Sequence, residues 1–290
     1  MKLHFKTIAA LLLGAIIGAS QAAQAAVIFD EDFTTETNAT WKERTGTFPL
    51  HHPQNAVAGV GDFIFRVPGT GSFKFQIAEN EGGLGRGLHS APNDGSSSTT
   101  HVGVPYDMDL TGVNDVLRLT VVVKSAHTSW NNLIIGFHEG TGTQNIAVNS
   151  ITHRLMLSGG SVQNWWDKSP AATPGVALPA SALAAQASFH KFVLEYDPTK
   201  AGIANMQPLS FWVNDTEVAV PLGAAGTIHD KMTRITGVGF GSLLSNGANS
   251  RSFVLQSMKF EVVPEPSAIA LLGLGAVGLV GWVARRRLAK

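Results

Sequence analysis

The sequence contains no cysteine among its 290 residues. This absence excludes disulfide bonds, thiolate nucleophiles, iron–sulfur clusters and every zinc site that depends on cysteine. Charged residues make up only 14% of the chain, and the formal net charge is zero. Because nucleic-acid binding requires a basic surface, no nucleic-acid partner is expected.

The zero net charge conceals an uneven distribution along the chain. Six of the 21 basic residues lie outside residues 26–262, compared with only one of the 21 acidic residues. The central segment therefore carries about five net negative charges, and the basic excess lies at the two ends. The amino end has Lys2 and Lys6, whereas the carboxyl end has a cluster of three arginines.

The amino-terminal segment has the three parts of a secretory signal peptide. A basic start is followed by an apolar stretch from about Ile8 to Ala19 and then by small residues, with Ala23-Gln24-Ala25 as an A-x-A cleavage site. The apolar stretch is short for a membrane span. We therefore predict a signal peptide over residues 1–25, with cleavage after Ala25.

The central segment, residues 26–262, is dominated by strand patterns. In residues 115–126, Leu117, Leu119, Val121 and Val123 alternate with polar or smaller residues, which is the period of two typical of a half-buried strand. Residues 189–197, 209–220 and 251–263 repeat this pattern, with hairpin turns expected at 159–160 and 214–215. Helical periodicity is limited to residues 178–189, which are predicted to form one short helix or a loop.

So many strands without intervening helices predict one all-β domain, an antiparallel sandwich or barrel. Three segments resemble a concanavalin A-like or laminin G-like jelly roll: "VIFDEDF" at 27–33, "FHKFVLEYDPT" followed by "LSFWVNDTEVAV" over 189–220, and "ITGVGFGSLL" followed by "SFVLQSMKFEVV" over 235–263. The resemblance implies a β-sandwich of two antiparallel sheets. It implies no particular activity, because one fold hosts many functions.

The carboxyl end combines three unlike elements. Residues 267–284 carry no charge and are long enough, as a helix, to cross a thin bilayer, with Trp282 at the interfacial position. Arg285, Arg286 and Arg287 follow and favour a cytoplasmic end, which would leave the central domain outside. Pro264-Glu265-Pro266 precede the apolar run and prevent a helix from continuing upstream. On these residues alone, a processing site and a simple helix-breaking linker are equally open.

This order of elements resembles the PEP-CTERM sorting signal of Gram-negative bacteria, which is also catalogued as an ice-binding-protein carboxyl-terminal domain. The resemblance implies that Pro264, Glu265 and Pro266 are the recognition motif, residues 269–284 a transient membrane anchor, and Arg285, Arg286 and Arg287 the stop-transfer cluster. It also implies an exosortase-type membrane protease as partner and delivery to the cell surface or an exopolysaccharide-containing biofilm matrix.

The sequence offers little support for catalysis. Jelly-roll glycoside hydrolases place their carboxylates on one strand as Glu-x-Asp-x-x-Glu, and no such string is present. Asp30 and Asp32 share one face of the first strand, for which three interpretations stay open: a solvated edge strand, part of a calcium site, or a catalytic pair. The ten histidines are scattered without metal-ligand spacing, so calcium is the only cofactor considered.

One aromatic pair is a candidate ligand site. Trp165 and Trp166 end a predicted strand and precede Asp167. One tryptophan is expected in the core, and the other could present a flat face to a sugar ring, with Asp167 and Asn164 as hydrogen-bond partners. The alternative is that both are structural. Trp130 and Trp212 are weaker candidates of the same kind.

Taken together, these observations predict three segments: a signal peptide (1–25), a β-sandwich ectodomain (26–262) and a sorting tail (263–290). The expected function is non-catalytic, as a structural or carbohydrate-binding protein of the cell surface or extracellular matrix. The alternative is a secreted hydrolase or lyase that acts on the same polysaccharide.

Overall fold

A computed structural model describes residues 25–35, 40–41, 45–48, 60, 63–66, 75–78, 83–90, 99–126, 130–138, 151–166, 175–185, 187–220, 231–243 and 253–264. The chain divides into two compact units, of which the larger is Val27–Glu261. The smaller unit consists of Met1–Ala26 and Val262–Lys290. All described strands lie in the larger unit or extend from it by one or two residues.

Almost all regular structure in the described residues is extended. The strands are β1 (Ala26–Asp32), β2 (Thr40–Trp41), β3 (Thr45–Phe48), β4 (Phe63–Arg66), β5 (Phe75–Ala78), β6 (Gly87–Ser90), β7 (Thr99–Asp109), β8 (Val116–Ser125), β9 (Trp130–His138), β10 (Ile151–Gly159), β11 (Ser161–Trp166), β12 (Val176–Ala177), β13 (His190–Tyr196), β14 (Leu209–Val213), β15 (Thr216–Val218), β16 (Arg234–Leu243) and β17 (Phe253–Val263). One short helix, α1 (Ala180–Leu183), lies in the segment predicted to be a helix or a loop.

The strands form two antiparallel sheets. Sheet A has the order β15-β14-β13-β8-β17-β6-β5-β2, and β1 also pairs with β17. Sheet B has the order β12-β11-β10-β9-β16-β7-β4-β3. Several neighbours in these orders are distant in sequence, which is typical of a jelly roll. The prediction of an all-β antiparallel sandwich is therefore confirmed.

The predicted signal peptide and membrane helix lie outside the described residues. Within the described part of the chain, no helix is both long and apolar enough to cross a membrane.

The alternating sequence pattern corresponds to two faces of each strand. Along β8, buried and half-buried residues alternate without interruption, and β13 shows the same alternation. The two strands pair in register, with Leu119 opposite Leu194 and Val121 opposite Phe192. Opposed residues in an antiparallel pair share a face, so these four side chains lie together on the core side of sheet A.

Aromatic side chains connect the two sheets. Phe137 of β9 in sheet B packs against Tyr196 and Phe260 of sheet A, with ring centroids 6.3 Å apart in both pairs. Phe240 of β16 packs edge-on against Phe253, with centroids 4.8 Å apart. All five rings are fully buried. The core is therefore an apolar layer between the sheets, and it compensates for the lack of disulfides.

Two hairpins form where the sequence predicts turns. Asn214 and Asp215 join β14 to β15 with φ values of 49° and 65°, so both residues are left-handed as a type I′ turn requires. Gly159, with φ 59°, begins the turn between β10 and β11. Asparagine, aspartate and glycine are the residues that tolerate this conformation best, which explains why the turns are recognisable in the sequence.

Strand β17 occupies an interior position in sheet A. It lies between β8 and β6 and also pairs with β1. The Phe33 N–H donates to the Gln256 carbonyl (2.8 Å), whereas Asp30, earlier in β1, lies beside Lys259. Later residues of β1 therefore lie beside earlier residues of β17. The two strands are antiparallel, and the start of β1 lies next to the end of β17. We call this end of the sandwich the tail end, and the other the distal end.

Candidate functional site

The residues predicted to form sites fall in two places. Trp165 and Trp166 lie on β11, next to β10 in sheet B. Pro264 directly follows the last residue of β17. Asp167, Glu265, Pro266 and Arg285–Arg287 lie outside the described residues, so their assigned roles stay predictions.

A row of glycines crosses the middle of sheet B. Gly239 of β16 lies directly opposite Gly136 of β9 on one side and Gly103 of β7 on the other. The same cross-strand row continues from Gly136 to Arg154 of β10 and then to Trp165 of β11. We call this set of five residues the glycine row. Glycine has no side chain, so three of the five positions leave only backbone on either face of the sheet.

The neighbouring row belongs to the core. Trp166 lies opposite His153, which is opposite Phe137, and Phe137 is opposite Val238. Phe137 and Val238 are fully buried, and Phe137 contacts sheet A. The backbone of Trp166 therefore belongs to the cross-strand row of Phe137, whereas the backbone of Trp165 belongs to the glycine row. The register thus separates the two tryptophans that the sequence could not distinguish.

The outer face at the glycine row is sheltered from solvent. Gly103, Gly136 and Gly239 are all buried. Ile134 and His138, which flank Gly136 on the same face of β9, are buried as well, with 0% and 4% of their surface exposed. The three glycines and their neighbours on β9 are therefore shielded from solvent.

Sequence reasoning missed the glycine row because its members come from separate strands. The only local signal was the "GVGFG" stretch, in which Gly237, Gly239 and Gly241 alternate with buried Val238 and Phe240. Alternation of glycine with large apolar residues marks a strand with a core face and an outer face that lacks side chains. Only the strand register shows that Gly103 and Gly136 lie beside Gly239 on the two neighbouring strands.

Asp30 and Asp32 lie on the same face of β1, as expected, and both are half-buried. Asp32 is engaged locally: its carboxylate accepts hydrogen bonds from the Thr34 N–H (2.8 Å) and the Thr34 hydroxyl (2.6 Å). Asp30 lies 3.9 Å from the Lys259 ammonium, which also pairs with Glu261 at 2.9 Å. In the described residues, no three histidine or acidic side chains are grouped as metal ligands. The proposed calcium site at β1 stays a prediction.

A Ser–His–Asn cluster at the distal end resembles a catalytic arrangement. The His190 Nε2 atom lies 3.3 Å from the Ser188 hydroxyl, and its Nδ1 atom lies 3.1 Å from the Asn214 side-chain nitrogen. The cluster joins the start of β13 to the turn after β14. Neither its spacing in the sequence nor its residue types predict it.

The hydrogen bonds of Asn214 determine the tautomer of His190. The Asn214 Oδ1 atom accepts a hydrogen bond from the Lys191 N–H (2.9 Å), so its amide nitrogen faces His190 and donates to Nδ1. The proton of the neutral ring is then on Nε2, which faces the Ser188 hydroxyl and the Ala184 carbonyl (3.4 Å). A general base toward Ser188 would need a free lone pair at Nε2. The cluster is therefore arranged as a structural hydrogen-bond network, which we call the His190 clasp (Ser188, His190 and Asn214).

Burial reinforces the neutral state of this ring. His190 is buried, and desolvation lowers the pKa of its imidazole below the ordinary value, while the Ala184 carbonyl opposes the shift. Trp130 covers one side of the ring, with centroids 5.3 Å apart.

The two weaker tryptophan candidates differ in exposure. Trp130 is buried, and its indole N–H donates to the Ala182 carbonyl at 2.7 Å. The prediction that Trp130 could stack on a ligand is therefore wrong, because the ring is part of the core. Trp212 of β14 is half-buried, opposite Val193 and Glu217, and still has an accessible surface.

The segment after the sandwich matches a known family. Residues 262–287 match the family described as the PEP-CTERM protein-sorting motif. This confirms the resemblance on which the tail was interpreted, and it implies export and association with the cell surface. The matched segment begins inside β17, so no spacer separates the sandwich from the sorting signal.

Several solved structures share broad similarity with the chain. One is the Emp47p carbohydrate recognition domain, at 12% identity over 84% of this chain and 99% of that one, with a TM-score of 0.39. Others are a legume lectin-like domain from Entamoeba histolytica (13%, 76% and 97%, 0.41) and a protein of unknown function from Shewanella oneidensis MR-1 (12%, 86% and 94%, 0.42). All three TM-scores lie below 0.5, so the fold assignment rests on the strand pairing of the chain itself. No curated protein matches the chain.

Proposed function

We propose that this chain is an exported protein that an exosortase-type protease sorts through the tail and releases at the cell surface or into an exopolysaccharide matrix. The proposal divides the chain into a signal peptide (1–25), an ectodomain (26–262) and a sorting signal (263–290). The match over residues 262–287 carries the proposal. The tail would hold the protein in the membrane transiently, with Arg285–Arg287 on the cytoplasmic side.

Mass spectrometry of the mature protein from its own cells tests the sorting. We expect an amino terminus at Ala26 and a carboxyl terminus at or near Pro264–Pro266. Replacement of Glu265 by Gln keeps the apolar run and the arginines, so a processing motif should lose cleavage while membrane insertion is retained. A mature protein that retains Lys290 would show a permanent anchor instead.

The ectodomain is proposed to be a non-catalytic structural or carbohydrate-binding module. The register supports Trp165 as the stacking residue, since its backbone lies in the same cross-strand row as Gly136 and Gly239, two positions without side chains. Ligand sites are commonly concave and combine aromatic faces with a few polar groups, which suits the binding of sugar rings. The arrangement of His190 as a clasp removes one possible nucleophile–base pair and favours binding over hydrolysis.

A glycan array with the mature protein tests this second part. Trp165→Ala should abolish any glycan binding that is found, whereas the matched variant Trp212→Ala, on the half-buried face of sheet A, should retain it. Equal binding by both variants would remove the stacking proposal. Release of reducing sugar that depends on one carboxylate would instead support the alternative, a hydrolase or lyase. Binding that requires added calcium, and is lost in Asp30→Asn, would support the calcium site.

A further inference from the structure

The tail end of the sandwich carries an unusual share of the exposed apolar side chains. Four large apolar residues of the described part are exposed: Val27 (36%), Leu183 (47%), Ile203 (43%) and Met206 (44%). Single exposed apolar residues are normal on a protein surface. Their distribution is informative here, because three of the four lie at one end.

The loop that carries Ile203 and Met206 is fixed at the tail end. It follows Tyr196, the last residue of β13, whose hydroxyl accepts a hydrogen bond from the Met232 N–H (2.9 Å) just before β16. Tyr196 also packs on Phe137, which contacts Phe260 near the end of β17. Leu183, by contrast, lies on α1 at the distal end, where the Ala185 carbonyl accepts a hydrogen bond from the Ser125 N–H (3.0 Å) at the end of β8.

This loop is an ordered turn. The Asp197 carboxylate accepts hydrogen bonds from the Thr199 N–H (3.0 Å) and hydroxyl (2.5 Å), and it pairs with the Lys200 ammonium at 3.0 Å. Further along, the Met206 N–H donates to the Ile203 carbonyl at 3.2 Å. The two apolar side chains are thus held outward on a braced backbone.

The covalent length of the tail limits its distance from the membrane. Strand β17 ends at Val263, and the apolar run that would be the anchor begins at about Ile269. The six steps along the backbone from Val263 to Ile269 can span at most about 21 Å even when fully extended. Strand β13 is two strands from β17 in sheet A, about 10 Å across the sheet. The loop is therefore laterally close to the point where the tail leaves the sandwich.

We infer that the tail end of the sandwich rests on the phospholipid surface while the protein is anchored, with Ile203 and Met206 in the interfacial region. The inference rests on the proposed anchoring role of the tail. Charge does not drive the contact, because the basic residues Lys200, Lys231 and Arg234 at this end are outnumbered by four acidic ones, Asp107, Asp109, Asp115 and Asp197. The exposed apolar side chains and the short tether to the anchor together hold this end against the lipid. Cleavage of the tail would therefore also free this end of the sandwich from the membrane.

The absence of cysteine makes a direct test possible, since any introduced cysteine is the only one in the chain. The full chain with Ile203→Cys, Met206→Cys or the control Leu183→Cys would carry an environment-sensitive fluorophore. Each protein would be reconstituted into vesicles of phosphatidylethanolamine and phosphatidylglycerol. We expect blue-shifted emission and quenching by nitroxide-labelled lipid at residues 203 and 206, and neither effect at residue 183.

The possible failures are distinguishable. Flotation of the protein with vesicles, but aqueous emission at all three positions, would overturn the membrane contact and leave the anchor intact. Failure to float with vesicles would overturn the anchor and the inference with it. Emission that shifts with protein concentration, without quenching by lipid, would show that a second copy of the chain covers this surface, and would also overturn the inference. An unchanged thermal transition confirms that each labelled variant is folded.

Discussion

The amide nitrogen of Asn214 lies 3.1 Å from Nδ1 of His190 and holds the buried ring in its neutral form. The contact joins the turn between β14 and β15 to the first residue of β13. It makes the stability of sheet A depend on the protonation state of one histidine, with consequences for its pH response.

Unfolding should become easier in mild acid because of His190. Its pKa in the folded protein is lowered, chiefly by burial, so the unfolded chain binds a proton at a higher pH than the folded chain does. The stabilising contribution is complete above the unfolded pKa of about 6.5, and it is lost as the pH falls from there through the folded pKa. Urea denaturation of the wild type and His190→Gln between neutral and mildly acidic pH would measure this contribution to the free energy of unfolding. Parallel pH curves for the two proteins would contradict the prediction.

The two residues of the β14–β15 turn should respond differently to glycine. Both have positive φ, so glycine relieves strain at either position. Asn214→Gly also removes the bonds to Lys191 and His190, and we expect a loss of about 1–2 kcal/mol in the free energy of unfolding. Asp215→Gly removes only an exposed ion pair with Lys191, so a change within about 0.5 kcal/mol is expected. Equal losses in chemical denaturation would show that the Asn214 contacts contribute nothing.

Trp130 should be a structural residue. Trp130→Phe retains an aromatic ring beside His190 and Phe192 but leaves the Ala182 carbonyl without its donor, at a cost of about 1–3 kcal/mol. Trp212→Phe, at a half-buried position, is the matched control and should change stability by no more than about 0.5 kcal/mol. Thermal unfolding of the two variants gives the comparison, and a larger loss for Trp212→Phe would contradict it.

The sandwich should fold without its sorting signal, but only if β17 is complete. Residues 26–264 retain every described strand and should unfold in one cooperative transition. Residues 26–259 lack Phe260, which is fully buried against Phe29, Phe137 and Tyr106. Loss of such a ring alone costs about 3–5 kcal/mol, a large part of the stability of a domain. Near-ultraviolet circular dichroism would distinguish the two, and a folded 26–259 fragment would refute the assigned role of β17.

Local physics explains which features the sequence could predict. The strand alternation of β8 and β13 and the turn at Asn214–Asp215 depend on neighbouring residues, so each was recognisable. The tail was recognisable for the same reason, since its parts are contiguous.

Features that depend on register were not accessible from the sequence. Trp165 and Trp166 look equivalent until pairing with Arg154 and His153 places them in different cross-strand rows. The glycine row requires five strands to be aligned, and the burial of Trp130 depends on a contact with the Ala182 carbonyl, 52 residues away. A shift of one residue in the register of any strand pair would reverse these assignments. No local sequence pattern excludes such a shift.

The interior position of β17 affects how the protein can be made. β17 pairs with β1 across more than two hundred residues of intervening chain, so sheet A stays open until residues 253–263 have been synthesised. A polypeptide interrupted before residue 253 would lack both the strand that closes the sheet and the signal that sorts it. Under the proposed sorting role, a truncated chain that cannot complete sheet A would therefore also lack the segment needed for its delivery.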